Sequence, residues 1–130
     1  MSIFATNDLA RVERVLAPDG SSVYSLLSLA AGGMACFELG AGLTSRAVVH
    51  RTVEELWFVR AGRGQIWRKQ NDVEETTPLS PGVCISIPVA THFQFRASQH
   101  CALSIVGVTM PPWPGQHEAL VVSGAWPVTL

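Results

Sequence analysis

The sequence predicts an all-β protein, built as a barrel or sandwich of short strands. Short apolar runs recur along the chain and are separated by turn residues, including 11 glycines and 8 prolines that are scattered, not clustered. No long amphipathic helix pattern follows these runs, which excludes a βαβ architecture. With 130 residues, 48% hydrophobic and 15% charged, the chain can bury one core and is expected to form a single domain over residues 1–130.

Each apolar run with β-branched or aromatic residues predicts a strand. The segment 8–16 is ambiguous, because its apolar spacing suits a helix behind an Asn/Asp cap or an edge strand equally well. Asp19-Gly20, which follows Pro18, and Asn71-Asp72 have the composition of hairpin turns. The predicted strands are 23–29, 34–39, 46–50, 56–60, 64–68, 73–76, 84–87, 92–96 and 102–109.

Charge and composition narrow the possible partners. The formal net charge is −1, so there is no basic excess to bind nucleic acid. No apolar run approaches the roughly 20 residues of a membrane span, and the N-terminus lacks the pattern of a signal peptide. Three widely spaced cysteines suggest buried, inert thiols in a reducing compartment. We therefore expect a cytoplasmic protein with no nucleic-acid partner, no membrane partner and no nucleotide cofactor.

The region 46–60 places an imidazole and a carboxylate beside each other. His50 ends one predicted strand and Glu55 begins the next, so antiparallel pairing would let the two side chains face each other. On the second strand Glu55 and Trp57 share one face, while Leu56 and Phe58 share the other. Both faces are largely apolar, which predicts cover from a second sheet or a second subunit. A homodimer is therefore expected.

Two motifs resemble those of the cupins. In residues 42–62, Gly42 is followed by five residues, Val48, Val49 and His50, then four residues, Glu55, six residues and a final Gly62. Every spacing agrees with the first cupin motif, except that Val48 replaces its first histidine. The segment 82–96 resembles the second motif more loosely, because Ala90 replaces glycine, Arg96 replaces asparagine, and His92 stands one residue too early.

The resemblance implies a double-stranded β-helix, or jelly-roll, barrel. It also implies that His50, Glu55 and His92 ligate a divalent transition metal such as Fe, Mn, Ni, Co or Zn, with the fourth usual ligand lost at Val48. A facial set of two imidazoles and one carboxylate suits such metals and leaves positions open for substrate or water. The shortening before His92 matters, because a slip of one residue turns a strand side chain to the other face.

Three further residues are candidates for contact with a substrate. Arg46 shares a face with His50, and it could anchor a carboxylate or phosphate or form a buried salt bridge. Trp57 could line an aromatic pocket for a small organic ligand or simply pack the barrel. Gln94 shares a face with His92 and could supply an oxygen ligand or a substrate contact. The proline-rich tail around Trp113 could pack at an interface or cover the barrel.

These observations leave several functions open, and whether the chain is an enzyme at all is one of the open questions. One is a metal-dependent enzyme of the dioxygenase, isomerase or lyase type that acts on a small molecule. A second is a metal-free protein, either an epimerase-like acid–base enzyme or a non-catalytic binding module. A third is a structural or regulatory dimer with a filled barrel. No catalytic residue, substrate or reaction follows from the sequence alone.

Overall fold

The computed structural model describes residues 3–130, which form eleven strands. Two short 3₁₀ helices cover Leu9–Arg11 and Gln116–Glu118. The strands are β1 (Val15–Leu16), β2 (Ser22–Leu29), β3 (Gly32–Leu39), β4 (Val48–His50), β5 (Glu54–Ala61), β6 (Gly64–Gln70), β7 (Val73–Leu79), β8 (Cys84–Ile87), β9 (His92–Ala97), β10 (Leu103–Met110) and β11 (Ala119–Val121).

The strands form two antiparallel sheets that pack face to face. One sheet has six strands in the order β1-β2-β3-β10-β5-β8, and the other has five in the order β11-β4-β9-β6-β7. The core lies between the sheets, so each strand contributes its inward-facing side chains to it. Its buried members are Leu39, Val48, Trp57, Val59, Ile66, Leu79, Ile85, Ile87, Phe93, Phe95, Ala97, Leu103 and Ile105.

All nine predicted strands are present, with differences at their ends. The strand predicted over 46–50 begins only at Val48, because the backbone N–H of Arg46 donates to the carbonyl of Asp19. Neither alternative for segment 8–16 extends over it, because a three-residue 3₁₀ helix and a two-residue edge strand share the segment. Asp8 caps the first 3₁₀ helix by accepting from the N–H of Ala10, and β1 then pairs with β2 at the sheet edge. The short strand β11 was not predicted.

Both predicted turns connect antiparallel strands. Asn71 and Asp72 alone join β6 to β7, and Asn71 has a φ of 54°, as two-residue hairpins require. Asp19 and Gly20 lie in the connection between β1 and β2. At the end of the first motif, Gly62 has a φ of 85°, and a Cβ there would overlap the carbonyl oxygen of Ala102.

Alternation along β5 divides its side chains between core and surface. Glu55, Trp57 and Val59 are buried, whereas Leu56 and Phe58 are about half exposed. The expectation that every cysteine is buried holds only for Cys36, because Cys101 is partly exposed and Cys84 is exposed on the outward face of edge strand β8. Within residues 3–130, the structure contains no helix whose length and apolar character would let it cross a membrane.

Candidate functional site

The centre of the site is a buried contact between His50 and Glu55. His50 ends β4 and Glu55 is the second residue of β5, so the turn 51–53 sets the spacing between the two side chains. Nδ1 of His50 lies 3.1 Å from Oε2 of Glu55, and both side chains are about 95% buried. The indole N–H of Trp57 donates to Oε1 of Glu55 at 3.1 Å. The two side chains meet as expected, but the expected strand pairing is wrong: β4 and β5 belong to different sheets, and the contact spans the space between the sheets.

The imidazole nitrogen facing this contact is not fully satisfied. Nδ1 of His50 makes no well-directed hydrogen bond to any residue in the described part of the chain, although Glu55 is close. A buried polar atom left without a hydrogen bond costs free energy, so such atoms are concentrated where a ligand or a catalytic step uses them. Because Nδ1 is itself inaccessible, the neighbouring carboxyl group of Glu55 is the group placed to exchange a proton with it.

Burial shifts the pKa values of both groups towards their neutral forms. Burial lowers the pKa of His50 to about 4, although the negative charge of Glu118 partly opposes this shift. Burial raises the pKa of Glu55 to about 7; the hydrogen bond from Trp57 opposes the rise and the charge of Asp19 adds to it. The usual order of imidazole and carboxyl acidity is therefore reversed, and a neutral imidazole faces a carboxyl group that titrates near neutral pH.

A carboxylate from the second 3₁₀ helix holds the turn between the two site residues. Glu118 accepts hydrogen bonds from the backbone N–H of Thr52 at 2.6 Å, from its hydroxyl and from the N–H of Val53. Burial of Glu118 works against its ionisation, but these bonds outweigh it and lower the pKa of its carboxyl group. The ionised carboxylate is therefore a clamp on the turn that separates His50 from Glu55.

A cavity of about 300 Å³ opens on the His50–Glu55 pair, and both sheets contribute to its wall. The aromatic rings of Phe37, Trp57, Phe93 and Trp113 line it together with several small polar groups. The rings of Phe93 and Trp113 meet the imidazole of His50 edge-on, with centroids 5.1 and 5.0 Å away. Apolar walls with a few converging polar groups are typical of a small-molecule site.

The structure does not bring His92 to this site. In the register of β4 and β9, His92 lies opposite Val49 and Phe93 lies opposite Val48. Paired residues share a face, so Phe93 joins Val48 in the core while His92 is directed away from the cavity. The early position of His92 in its motif is the cause, because a shift of one residue reverses a strand side chain.

The predicted three-ligand metal set is therefore not assembled. Of the three predicted ligands only His50 and Glu55 are in contact at the cavity, whereas catalytic metal sites use three protein ligands. Among residues 3–130, no cluster of three or more His, Cys, Asp or Glu side chains could hold a metal ion. The residues present do not fit the expected metal.

The three predicted substrate contacts have different positions. Trp57 lines the cavity, as the sequence suggested. Arg46 is exposed and does not line it, because the chain at this point pairs with the loop of Asp19 and is not yet a strand. Gln94 is buried on the opposite face, where it bonds Ser45, Ala125 and Trp126 and so fixes the C-terminal segment. Gln94 is thus a structural residue.

Sequence reasoning missed Asp19 and left the role of Trp113 open. Asp19 lies in a connection that was interpreted only as a hairpin turn, yet its side chain is buried and lines the cavity. Trp113 contacts His50, which makes the tail part of the cavity wall. The high proline content around Trp113 was the available signal, whereas nothing local to Asp19 indicated an inward-folded loop.

The sequence itself matches no protein-family model and no curated protein. Solved structures are similar in fold. KdgF from Halomonas sp. has a TM-score of 0.73 at 14% identity, covering 85% of this chain and 96% of that one. A PAC13 variant from Streptomyces, solved with uridine, has a TM-score of 0.72 at 14% identity, covering 94% and 92%. CapF from Staphylococcus aureus has a TM-score of 0.73 at 16% identity, covering 87% of this chain and 34% of that one.

The chain has the cupin fold. The predicted jelly-roll barrel is confirmed by the two packed sheets and by these neighbours. At such low identity the likeness extends to the fold alone, and the cupin barrel supports many activities. The function must therefore be argued from this chain's own cavity.

Restoring a histidine at Val48 should create a metal site. Val48 is buried beside His50 in the cavity wall, so Val48→His would add a third donor to His50 and Glu55. We expect affinity for Co²⁺ to rise at least about 100-fold, measured by titration of the visible Co²⁺ absorption. Val73→His is the matched control, because Val73 is 70% exposed on β7 and lies opposite Gln70 and no histidine. Equal Co²⁺ affinity in the two variants would contradict the assigned faces.

The shifted pKa values of His50 and Glu55 should have opposite effects on the pH dependence of folding stability. Variants that keep only one of the two groups should show each effect by itself. In Glu55→Gln only His50 remains; its folded pKa of about 4 lies below its unfolded value of 6.5, so stability should increase from pH 4 to 6.5. In His50→Gln only Glu55 remains; its folded pKa of about 7 lies above its unfolded value of 4.5, so stability should fall across that interval. We expect about 2 to 3 kcal/mol in each direction, measured by urea unfolding.

The wild-type protein is the control, because the two contributions nearly cancel between pH 4.5 and 6.5. Parallel pH profiles in both variants would show that burial does not shift these groups in opposite directions.

Proposed function

We propose that this protein binds a small organic molecule in its barrel and transfers a proton on that molecule with the His50–Glu55 pair, without a metal. The observation that carries the proposal is the buried contact of 3.1 Å between a neutral imidazole and a carboxyl group at the wall of a cavity. Two titratable groups whose environment pushes their pKa values apart are the usual signature of an acid–base pair. PAC13, a fold neighbour, is described as a nucleoside dehydratase, so an enzyme site occurs in a barrel of this fold.

The two groups have complementary roles. His50, held neutral by burial, is the base that removes a proton from a carbon next to a carbonyl group. The electron pair of that C–H bond becomes a C=C bond, and the carbonyl π pair moves to oxygen. The protonated carboxyl group of Glu55 donates its proton to this oxygen, which gives the enol. The imidazolium of His50 then returns a proton to carbon, and the enol O–H gives its proton back to the carboxylate of Glu55, which regenerates the carbonyl compound and resets both groups. Exchange of the imidazolium N–H with D₂O before the return places deuterium on carbon.

Deuterium uptake from D₂O tests this step without knowledge of the substrate. The probes are phenylacetone, phenylacetaldehyde and dihydroxyacetone, and NMR follows exchange at the carbon beside each carbonyl. We expect the wild-type chain to accelerate exchange in at least one probe, and His50→Gln and Glu55→Gln each to lose about 10²- to 10⁴-fold of that rate. Glu54→Gln is the matched control, because Glu54 is exposed on the other face of β5.

Two results would contradict catalysis. Exchange that is equal in wild type and both variants would place the reaction outside the pair. Binding of a probe in the cavity with no exchange above the solvent rate would leave a non-catalytic binding module, the other metal-free function that the sequence allows.

We propose in addition that two copies associate through the outer face of the six-stranded sheet. Four large apolar side chains on this face, Leu27, Met34, Leu56 and Phe58, are between 42% and 53% exposed. Strand register places Leu27 beside Met34, Met34 beside Val108 and Val108 beside Leu56, so the patch is continuous across β2, β3, β10 and β5. A flat apolar face of this kind suits a second copy of itself.

Light scattering after size exclusion should therefore give a mass of about twice 14.0 kDa. Phe58→Glu should yield monomers, because a carboxylate within the patch would be buried without a partner. Val73→Glu is the control, since Val73 is 70% exposed on β7 of the other sheet. A monomeric wild-type protein would refute the dimer.

A further inference from the structure

The described wall of the cavity contains acidic side chains but no lysine or arginine. Of the described residues in its wall, only Asp19, His50 and Glu55 have side chains that ionise in the accessible pH range, and none is a lysine or arginine. His50 is neutral at physiological pH, so the cavity offers carboxyl groups and no cationic side chain. An anionic group that entered would lose its hydration and find no cationic side chain in the wall; the charge of Arg46, which lies outside the wall, acts already on Asp19.

Asp19 is held in this wall with a defined orientation. Its side chain is only 8% exposed, and its Oδ1 atom accepts hydrogen bonds from both the N–H (2.9 Å) and the hydroxyl (2.6 Å) of Ser21. The backbone N–H of Arg46 binds the carbonyl of Asp19 from the outer side at 2.8 Å. Within the described part of the chain no hydrogen bond reaches Oδ2, so this second oxygen is available to a ligand.

We infer that Asp19 is a specificity-determining residue, whose carboxyl group accepts a hydrogen bond from an ammonium or hydroxyl group of the ligand, and that the cavity rejects ligands with an acidic group. This inference rests on the proposed function, because it concerns the same cavity. The ligand's donor would satisfy the open oxygen of Asp19, while the aromatic wall would cover its apolar part. Arg46, which the sequence suggests as an anchor for an anionic ligand, lies outside this wall.

Three probes of one shape separate these possibilities. Tyramine, tyrosol and 4-hydroxyphenylacetate share a ring and a two-carbon chain, and they end in an ammonium, a hydroxyl and a carboxylate group. Titration calorimetry with the full chain at pH 7 should show 4-hydroxyphenylacetate binding at least about tenfold more weakly than tyrosol. Comparison of tyramine with tyrosol then shows which donor the site prefers.

Asp19→Asn tests the residue itself. Asparagine retains an acceptor oxygen for Ser21 but replaces the open acceptor Oδ2 with an amide donor, so the loop should keep its conformation while the acceptor for the ligand is lost. We expect 4-hydroxyphenylacetate to approach tyrosol in affinity and tyramine to weaken about tenfold. Asp72→Asn, in the exposed turn between β6 and β7, is the matched control and should change none of the three affinities.

The possible failures are distinguishable. If wild type binds 4-hydroxyphenylacetate as tightly as tyrosol, or if Asp19→Asn leaves all three affinities unchanged, this inference is wrong, while the proposed acid–base function stands on the deuterium measurements. If none of the probes binds, both the inference and the small-molecule role of the cavity fail. The wild-type ranking decides the question even if Asp19→Asn does not fold.

Discussion

The site depends on the alternation of side chains along paired β-strands. In β4 and β5 this alternation turns Val48, His50, Glu55 and Trp57 into the barrel, and in β9 it turns Phe93 inward and His92 outward. Once the strand register is fixed, each side chain lies on one face of the sheet or on the other. In the second motif His92 stands one residue early, and in the first motif Val48 replaces a histidine. These two changes determine which side chains of the motifs line the cavity.

Burial then determines the chemistry of the two polar groups that remain. An imidazole and a carboxyl group in contact within an apolar wall can both be neutral, because the low polarity disfavours the ion pair unless further hydrogen bonds support it. One such bond, from Trp57, reaches Glu55, and His50 receives only the distant charge of Glu118. Glu118 holds the turn that keeps His50 and Glu55 together, but it makes no hydrogen bond to either side chain. The pair is thus positioned by the fold and left reactive.

Strands and faces could be predicted from the sequence because local alternation encodes them, and the cupin spacing around His50 and Glu55 identified the pair itself. Positions that depend on distant segments could not be predicted. Asp19 enters the cavity because Arg46 holds its loop from the other side, and Gln94 is buried by bonds to Ala125 and Trp126. Neither contact leaves a periodic signal. The reversal of His92 was foreseeable from its early position, but only pairing with β4 shows which residue replaces it.

The substitutions in the two motifs and the pKa shifts of the pair have a common physical cause. A carboxyl group buried in an apolar cavity must be neutralised by a nearby cation or by a proton on its own oxygen. With Val48 and Phe93 in the wall the chain offers too few donors to hold a cation, and no lysine or arginine lines the described cavity. A proton is then what neutralises Glu55, and its pKa of about 7 places that proton in exchange at physiological pH. A cavity of this kind favours a ligand that donates hydrogen bonds and disfavours one that is itself an anion.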